Sequence, residues 1–199
     1  MYTGLTLTTN GAEKTLNTKA ELPALDTRRL TDECSRAAFS CGNPDIDQWF
    51  RTKSLKEHNA LSCRVMTGHL PGNSSPVGFY ATTMKMESES ALPQEHRSLL
   101  RWYSGSAKMF PVMHLRYVAV IRPLQRQGFG TVLMGAAIND FYEVAVRTGI
   151  FALTLVAIDQ KTADFYHQLG FVNFGEPTAT QPSLLLPALS VISLRENLS

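Results

Sequence analysis

The sequence predicts an α/β fold, and two patterns carry that prediction. Two β-prone stretches, 63–69 and 77–86, flank a turn rich in Pro, Gly and Ser at 71–76, which indicates two antiparallel strands. Residues 114–158 predict in turn a strand, a glycine loop, an amphipathic helix and an apolar strand. Such a unit makes its two strands parallel and its crossover right-handed. The 199 residues, 44% of them hydrophobic, suffice for one sizeable core.

The first helix is predicted from its start signals. Residues 1–25 are rich in Thr, Asn and Gly with little periodicity, so they are predicted to be a loosely ordered N-terminal extension. Residues 26–199 are predicted to form a single domain. Within it a helix is expected from about 44 to 60, because Asn43 can cap it and Pro44 suits its first position. The apolar residues on one face of this helix are Ile46, Trp49 and Phe50.

The central unit has a clear pattern. A strand over 114–121 leads into the glycine loop at 125–130, and a helix is predicted over 131–148. Gly149 ends this helix, and the apolar run 150–158 is typical of a strand buried on both faces. The apolar residues at helical spacing are Val132, Leu133, Ala136, Ala137, Phe141 and Val144.

The remaining segments are shorter. Residues 88–111 are predicted to be mostly loop, with a short helix near 94–102. Asp159 can cap a helix over about 160–169. The last strands are expected from Phe171 onward and at 184–186.

Cysteine and histidine usage excludes several classes of site. The three cysteines form no C-x-x-C pair, and their odd number indicates free thiols in a reducing compartment. The five histidines lack metal-ligand spacing, so no metal is expected. The longest nearly apolar stretch, 149–158, falls short of a membrane helix, and the N-terminus lacks a signal-peptide pattern. A cytoplasmic protein without a membrane partner is expected.

Charge is distributed unevenly along the chain. Residues 96–139 carry six basic and no acidic side chains, although the net charge of the chain is only +2. This segment favours a polyanionic partner such as a nucleotide cofactor or RNA, and a solvated basic face is the alternative. The pI of 8.5 lies below the value above about 9 that is typical of dedicated nucleic-acid-binding domains.

The glycine loop joins a strand to a helix, an arrangement that cradles phosphate. Walker and dinucleotide motifs are excluded, because neither glycine precedes a Lys and the third dinucleotide glycine is replaced by Leu133. The loop instead resembles the Q/R-x-x-G-x-G/A loop of the GNAT N-acetyltransferases, which holds the pyrophosphate of acetyl-CoA. Here it reads Gln125-Arg126-Gln127-Gly128-Phe129-Gly130.

Two further segments extend the resemblance to GNAT enzymes over about residues 26–195. The segment 117–120, Tyr-Val-Ala-Val, resembles the family's fourth strand, whose backbone bonds the pantetheine arm where the fourth and fifth strands splay apart. The segment 163–171 resembles the family's A-x-x-F-Y-x-x-x-G-F motif. In that motif Tyr166 matches the tyrosine that faces the thioester sulfur.

The resemblance implies an α/β GNAT fold, with a mixed, twisted sheet of six or seven strands and helices on both faces. It implies an enzyme that uses acetyl-CoA to acetylate a primary amine. Tyr166 is the expected catalytic residue, as a general acid or hydrogen-bond donor. The residues expected to bind the cofactor are Val118, Ala119, Val120, Gln125, Arg126, Gln127, Gly128, Phe129, Gly130 and Thr131.

Three segments narrow the resemblance to a toxin subgroup of GNAT enzymes that is paired with ribbon-helix-helix antitoxins. Residues 39–50 resemble its F-x-C-G-x-x-x-L-D-x-W/F-L opening, residues 77–81 its V-x-G-Y-Y-A strand and residues 182–187 its P-x-x-L-x-L-P ending. Those toxins acetylate the α-amine of aminoacyl-tRNA and block translation. The resemblance therefore implies tRNA as a substrate and an antitoxin as a partner.

Two other functions stay open: an acetyltransferase for a small-molecule or peptide amine, and a regulatory module that binds acetyl-CoA without catalysis. No residue is a compelling general base; the candidates near predicted strand ends are Glu87, Glu89, His114 and Asp159. An α-amine acceptor fits this gap, because its pKa of about 8 leaves part of it neutral at pH 7. The apolar ending at 184–194 favours a homodimer.

Overall fold

Seven strands form one mixed sheet with helices on both faces. A computed structural model describes residues 22–98, 100, 108–175 and 180–197, together with a small hairpin of residues 8–9 and 12–13. The strands are β1 (Thr8–Thr9), β2 (Ala12–Glu13), β3 (Asp26–Arg29), β4 (Arg64–His69), β5 (Gly78–Ser88), β6 (Met109–Val120), β7 (Ala152–Val156), β8 (Val172–Phe174) and β9 (Ser183–Pro187). The helices are α1 (Pro44–Thr52), α2 (Ser54–Asn59), α3 (Gln94–Arg97), α4 (Phe129–Thr148), α5 (Gln160–Gln168) and α6 (Ala188–Glu196).

The order of the strands confirms the predicted central unit. The sheet runs β3-β4-β5-β6-β7-β9-β8. Strands β6 and β7 are parallel and are connected through α4, whereas each other neighbouring pair of the described sheet is antiparallel. The predicted hairpin of β4 and β5 is confirmed as well.

Strand β6 separates from β7 partway along its length. The two strands pair only over residues 112–115 and 152–155, whereas β6 continues to Val120. At the same place the register of β6 against β5 skips Arg116, which makes that residue a β-bulge. A bulge bends its strand and increases the local twist. The end of β6 therefore diverges from β7 and leaves a gap between them.

The two faces of the sheet bury different cores. On one face, called the α4 face, α4 and α6 pack over a core that includes Leu133 and Phe141. On the other, called the α1 face, α1 and α2 cover a cluster in which the Phe50 and Phe79 rings stack with centroids 4.0 Å apart. A third cluster around Phe110 lies farther along the α1 face.

Several boundaries differ from those predicted. The helix predicted over 44–60 is interrupted at Lys53, where the Ser54 hydroxyl donates to the Phe50 carbonyl, a local bond that bends helices. Strand β6 begins at Met109 rather than at 114, because its pairing with β5 extends as far as Ser88. Helix α4 begins two residues earlier than predicted, at Phe129, the residue between Gly128 and Gly130.

Within the predicted domain of residues 26–199, β3 and α6 are missing from the prediction. Strand β3 contains no apolar residue and all four of its residues are exposed, so it is held by its backbone pairing with β4. Helix α6 follows β9 directly and has apolar residues on several sides, so no amphipathic pattern marks it.

The start of the described chain packs against the domain. Leu25, at the end of the predicted extension, contacts the core of the α4 face, and Leu22 and Pro23 lie close to Gly128. Residues 1–7, 10–11 and 14–21 of the predicted extension lie outside the described residues, as do residues 99, 101 and 102 of the helix predicted at 94–102. None of the described helices has the length and hydropathy to cross a membrane.

Candidate active site

An open cavity of about 240 Å³ lies where β6 and β7 separate. Its walls come from the end of β6, from the glycine loop with the start of α4, and from α5. The residues that line it are Val118, Ala119, Val120, Gln125, Arg126, Gly130, Met134, Thr162, Phe165 and Tyr166. The structure thus brings the predicted strand, glycine loop and tyrosine together around one space.

Four residues expected to bind the cofactor lie outside the lining. Phe129 is buried in the core of the α4 face. Gln127 donates through Nε2 to the Pro123 carbonyl, 2.8 Å away. Gly128 is the N-cap of α4, and Thr131 lies in the first turn of that helix. Any contact of these four with a cofactor would therefore come from their backbone or from outside the cavity.

Three lining residues are absent from the sequence prediction. Met134 lies one turn after Gly130 on α4, and Phe165 precedes Tyr166 on α5. Thr162 lies four residues before Tyr166 and so shares its side of α5. Helical spacing from the predicted residues is the signal that could have found Met134 and Thr162.

The end of β6 offers backbone donors to the cavity. The Ile121 N–H donates to the Val77 carbonyl on β5, at 2.9 Å. Because backbone groups alternate in direction along an antiparallel strand, those of Val118 and Val120 point away from β5 and toward the gap. Gln125 Nε2 donates to the Val120 carbonyl at 2.9 Å, which agrees with this direction. The N–H groups of Val118 and Val120 therefore face the cavity.

The glycine loop adds a second set of donors. Arg126 and Gly128 have left-handed backbone, with φ of 61° and 87°, and this curls the loop ahead of α4. No side chain caps α4, so the N–H groups of residues 129–131 have no capping partner within the described chain. A Cβ at Gly130 would meet nothing within 4 Å outside its own helix. A ligand can therefore approach the positive end of the helix dipole closely.

Tyr166 lies on the α5 wall of the cavity. Its ring packs against the rings of Phe165 and Phe171, with centroids 5.3 Å and 5.6 Å away. Burial raises the pKa of Tyr166 to about 12. The hydroxyl therefore keeps its proton throughout the physiological pH range and is a hydrogen-bond donor toward the cavity.

None of the four candidate bases is among the residues that line the cavity. Asp159 is a capping residue, because its Oδ1 accepts from the Thr162 N–H at 2.7 Å. Glu87 and Glu89 lie at and beyond the far end of β5. His114 is buried on β6, two residues before the bulge, and its Nδ1 is 3.1 Å from Thr154 Oγ1.

The segment 39–50, which resembles the toxin opening, begins with a loop beside the cavity that hydrogen bonds hold in place. Asn43 caps α1 as predicted, because its side chain accepts from the N–H groups of the first turn. The buried Asp47 carboxylate accepts from the Ser40 hydroxyl at 2.9 Å and from the Cys41 N–H at 2.7 Å. The Cys41 carbonyl in turn accepts from Gln125 Nε2 at 2.7 Å. These bonds connect the start of α1 to the glycine loop.

Metal and thiol chemistry have little support here. The described residues contain no cluster of His, Cys, Asp and Glu that could hold a metal ion. Cys34, Cys41 and Cys63 are free thiols. Burial raises the pKa of the Cys41 thiol, the one nearest the glycine loop, to about 11, so it is not a thiolate at neutral pH.

Sequence comparisons relate the chain to a protein family and to curated proteins. The sequence model described as the acetyltransferase (GNAT) family matches residues 28–171. A tRNA-acetylating toxin from Mycobacterium tuberculosis (strain ATCC 25618 / H37Rv) is 27% identical over 144 residues. That alignment covers 72% of this chain and 82% of the toxin.

Solved structures share the fold. AtaT complexed with acetyl-methionyl-tRNAfMet matches with a TM-score of 0.75 at 23% identity, over 86% of this chain and 99% of that chain. AtaTR bound with AcCoA matches with a TM-score of 0.71 at 24% identity, over 86% and 98%. A tyrosine-to-phenylalanine mutant of KacT matches with a TM-score of 0.75 at 18% identity, over 85% and 98%.

Proposed function

The chain belongs to the GNAT family of acetyltransferases, and from this premise we propose that it acetylates the α-amino group of aminoacyl-tRNA and thereby blocks translation. The chain is an acetyl-CoA-dependent N-acetyltransferase. The non-catalytic module considered from sequence is therefore set aside. The observation that carries the proposal is the cavity at the β6–β7 gap, with the toxin-like segment 39–50 bonded to its rim through Gln125.

The residues around the cavity fit acetyl-CoA. The uncapped N–H groups at the start of α4, with the Arg126 side chain beside them, suit a pyrophosphate. The outward backbone groups of Val118 and Val120 suit an amide-containing arm that lies along the strand edge. Bound there, acetyl-CoA supplies an acetyl group activated as a thioester. We propose these residues as the cofactor-binding set, with Gln125 as the residue that positions the loop.

The same residues have separate parts in the chemistry. A backbone N–H at Val118 or Val120 can polarise a carbonyl oxygen in the gap. Tyr166 can donate a hydrogen bond to a departing thiolate. Its pKa of about 12 exceeds the value of about 8.5 for a thiol, so the phenol stabilises the thiolate without giving up its proton completely. We propose Tyr166 as the catalytic residue on this basis.

Charge and acceptor chemistry support an aminoacyl-tRNA. An α-amine with a pKa of about 8 is partly neutral at pH 7, so it needs less help from a base than a lysine side chain does. Arg126 lines the cavity and the Arg122 side chain lies against Gly42 beside it. Such basic side chains near the cavity would contact the phosphates of a nucleic acid.

The proposal also covers location and partners. Action on tRNA would place the protein in the cytoplasm. Similarity to the toxin subgroup supports a ribbon-helix-helix antitoxin as a partner. A homodimer is proposed from the apolar end of the chain, where Leu189 on α6 is 60% exposed.

Labelled acetyl transfer tests the proposed substrate. Wild type and Tyr166→Phe are incubated with radiolabelled acetyl-CoA and either aminoacylated total tRNA or a peptide with a free N-terminus. We expect label in the aminoacyl-tRNA, growth arrest on expression, and a loss of both by about 100-fold or more in Tyr166→Phe. Tyr142→Phe, on α4, is the matched control, because the Tyr142 ring packs on Arg195 away from the cavity lining.

The same assay distinguishes the alternative acceptor, a small-molecule or peptide amine, from aminoacyl-tRNA. Label in the peptide alone, with unchanged growth, would overturn the tRNA proposal in favour of the small-molecule or peptide amine. Full activity of Tyr166→Phe on aminoacyl-tRNA would refute the assigned role of the tyrosine. Acetyl-CoA affinity is measured for each variant, so that a lost cofactor site is not mistaken for lost catalysis.

A further inference from the structure

We propose that two copies of this chain pair through the free edge of β5 at residues 84–88, antiparallel and centred on Met86. The inference rests on the homodimer of the proposed function and gives it an interface other than the apolar end of the chain. It concerns assembly rather than the acceptor, so its outcome does not depend on whether aminoacyl-tRNA is the substrate.

The edge is open because β4 is shorter than β5. Strand β4 pairs with β5 only from Gly78 to Thr82, where Arg64, the first residue of β4, lies opposite Thr82. Strand β5 continues to Ser88 and pairs there with β6 on its other side. Within the described chain no strand lies beside this second half of β5 in place of β4. Such an edge is a template for pairing with another strand.

The backbone of three residues points out of this edge. The Glu89 N–H, directly after β5, donates to the Lys108 carbonyl at 2.8 Å and so points toward β6. The Pro111 carbonyl, opposite Met86 on β6, accepts instead from the Phe151 N–H on the β7 side, at 2.9 Å. Because directions alternate along a strand, even-numbered residues of β5 turn their N–H and C=O groups away from β6. On the open edge these residues are Met84, Met86 and Ser88.

Exposed apolar side chains gather around the same edge. The described chain has nine large apolar residues that are exposed, and four of them lie here. Met84 and Met86 point to the α4 face, because Met84 pairs with Met113 of the core on that face. Leu61 adjoins the carbonyl that accepts from the Thr83 hydroxyl at 2.9 Å, so it flanks the edge. The four residues are Leu61, Met84, Met86 and Met109, which are 73%, 55%, 55% and 41% exposed.

The charges on the edge indicate a second copy as the occupant. Lys85 and Glu87 point to the α1 face, because their partners on β6 belong to the cluster around Phe110. Neither forms an ion pair with another described residue. When two copies pair antiparallel about Met86, the Lys85 of each lies opposite the Glu87 of the other. Two cross-strand ion pairs then form at the interface.

Other registers of the two copies are disfavoured. A two-fold symmetric antiparallel pair places one residue opposite itself. Centred on Lys85 or on Glu87, the pair would set like charges against each other. One step farther in either direction, it would need Thr82, whose place is taken by β4, or residues beyond β5. Charges on a free edge normally prevent pairing, and here they favour a single register.

The pairing leaves both cavities open. Met86 would exchange two backbone hydrogen bonds with Met86 of the second copy, and Met84 would do so with Ser88. Pro111, opposite Met86, is eight residues along β6 from Ala119 at the cavity, which corresponds to roughly 26 Å. Because the two-fold axis is perpendicular to the sheet, the two cavities would lie at opposite ends of the joined sheet.

Charge reversal tests the register. Lys85→Glu and Glu87→Lys each set like charges opposite each other twice, so we expect the dissociation constant of the dimer to rise about tenfold or more. The double variant exchanges the charges and should restore the wild-type constant. Lys161→Glu reverses an exposed lysine on α5 and is the matched control, which should leave the constant unchanged. Sedimentation equilibrium over a range of protein concentrations measures each constant.

Met86→Pro tests the backbone pairing. The Met86 N–H points away from β6, so a proline there removes no hydrogen bond between β5 and β6 but blocks the added strand. We expect a folded protein whose dimer dissociates about 100-fold or more readily. Leu189→Lys tests the apolar end of the chain and should leave the dimer intact. Urea unfolding checks that each variant is folded, and the charge variants decide if Met86→Pro is not.

Each outcome supports or overturns the interface. A wild type that is monomeric at every concentration would overturn the interface and the homodimer together. A dimer that Leu189→Lys dissociates, while the β5 variants leave it intact, would overturn the interface and keep the homodimer. A double charge variant as dissociated as the single ones would refute the register centred on Met86. The acetyl-transfer assay with aminoacyl-tRNA is separate from all of these results.

Discussion

Asp47 shows how one buried carboxylate organises the region next to the active site. Burial alone would raise its pKa, but the donors at Ser40 and Cys41 hold the pKa below its ordinary value. A carboxyl group whose pKa is lowered by folding stabilises the native state above its unfolded pKa of about 4. That stabilisation is lost as the pH falls through the folded pKa. The loop that presents the Cys41 carbonyl to Gln125 is thus fixed by an ionised group.

Replacing Asp47 by Asn should therefore destabilise the protein in a pH-dependent way. We expect the free energy of unfolding to fall by about 1–3 kcal/mol at pH 7, because one amide oxygen cannot serve both donors as the carboxylate does. The difference from wild type should shrink toward pH 3, because the Asp47 carboxyl of the unfolded chain takes up a proton below its pKa of about 4 and the stabilisation from the lowered folded-state pKa is then progressively lost. Urea unfolding at both pH values measures it, with the exposed Asp32→Asn as control. An equal difference at both pH values would contradict this account.

Single site residues could be predicted where a short sequence motif marks them. The glycine loop and Tyr166 follow from short motifs, and the structure places both around one cavity. The positioning role of Gln125 is harder to predict, because its side-chain amide nitrogen donates to two backbone carbonyls from different parts of the chain, those of Cys41 and Val120. No local sequence pattern indicates such partners. Met134 and Thr162 are predictable in part: helical spacing places them on the same sides of their helices as Gly130 and Tyr166, whereas the packing of the two helices around the cavity is not a local property of the sequence.

At the scale of elements, α4 offers a matched pair of glycines. Gly130 lines the cavity in the first turn, Gly135 is exposed farther along, and a side chain at either would meet nothing within 4 Å outside the helix. Gly128 is a poorer probe, because its φ of 87° and the nearby Pro23 would strain any side chain there. The two helical glycines therefore separate an effect on the ligand from an effect on the helix.

Gly130→Glu should weaken acetyl-CoA binding at least about tenfold, which corresponds to about 1.4 kcal/mol. The reason is that a carboxylate would occupy the place where the helix start attracts phosphate. Gly135→Glu should leave the affinity unchanged, and both variants should gain slightly in helix stability. Calorimetric titration measures the affinity. Equal affinities in the two variants would place the pyrophosphate elsewhere.

Helices and strands with a periodic pattern of apolar residues could be predicted from the sequence, and those without such a pattern could not. Helix α4 combines a 3.6-residue apolar repeat with a glycine at each end, and its predicted and observed ends agree at Thr148. Strand β3 is fixed instead by pairing with a strand 35 residues or more away, and its own four side chains carry no signal. Backbone pairing of this kind is invisible to a pattern of side chains.

At the scale of the whole molecule, the sheet separates two sides of the cavity. Met134 and Tyr166 line it from the α4 face, and Val156 lies on the α1 face, just beyond the last pair of β6 and β7, where an acceptor could reach the gap. Val156 and Val146 form a matched pair for testing this arrangement, because they are 47% and 48% exposed but only Val156 directly follows the last residue of β7 that pairs with β6.

Val156→Trp should therefore obstruct the acceptor and spare the cofactor. We expect the KM for the acceptor to rise about tenfold or more, while the affinity for acetyl-CoA stays as in the wild type. Val146→Trp, on the outer side of α4, should change neither value. Steady-state kinetics with varied acceptor and a separate binding titration supply both numbers. Loss of acetyl-CoA affinity in Val156→Trp would mean that both substrates enter from one face.

The bulge at Arg116 also makes β6 sensitive to its length. Before the bulge, even-numbered residues such as Val112 face the α1 side, and after it odd-numbered residues such as Ala119 do. One extra residue thus reverses the phase of the strand midway. A shortening by one residue there would turn the amides of Val118 and Val120 away from the gap and their side chains into the wrong core. The number of residues in this stretch, more than their identity, therefore decides which groups reach the gap.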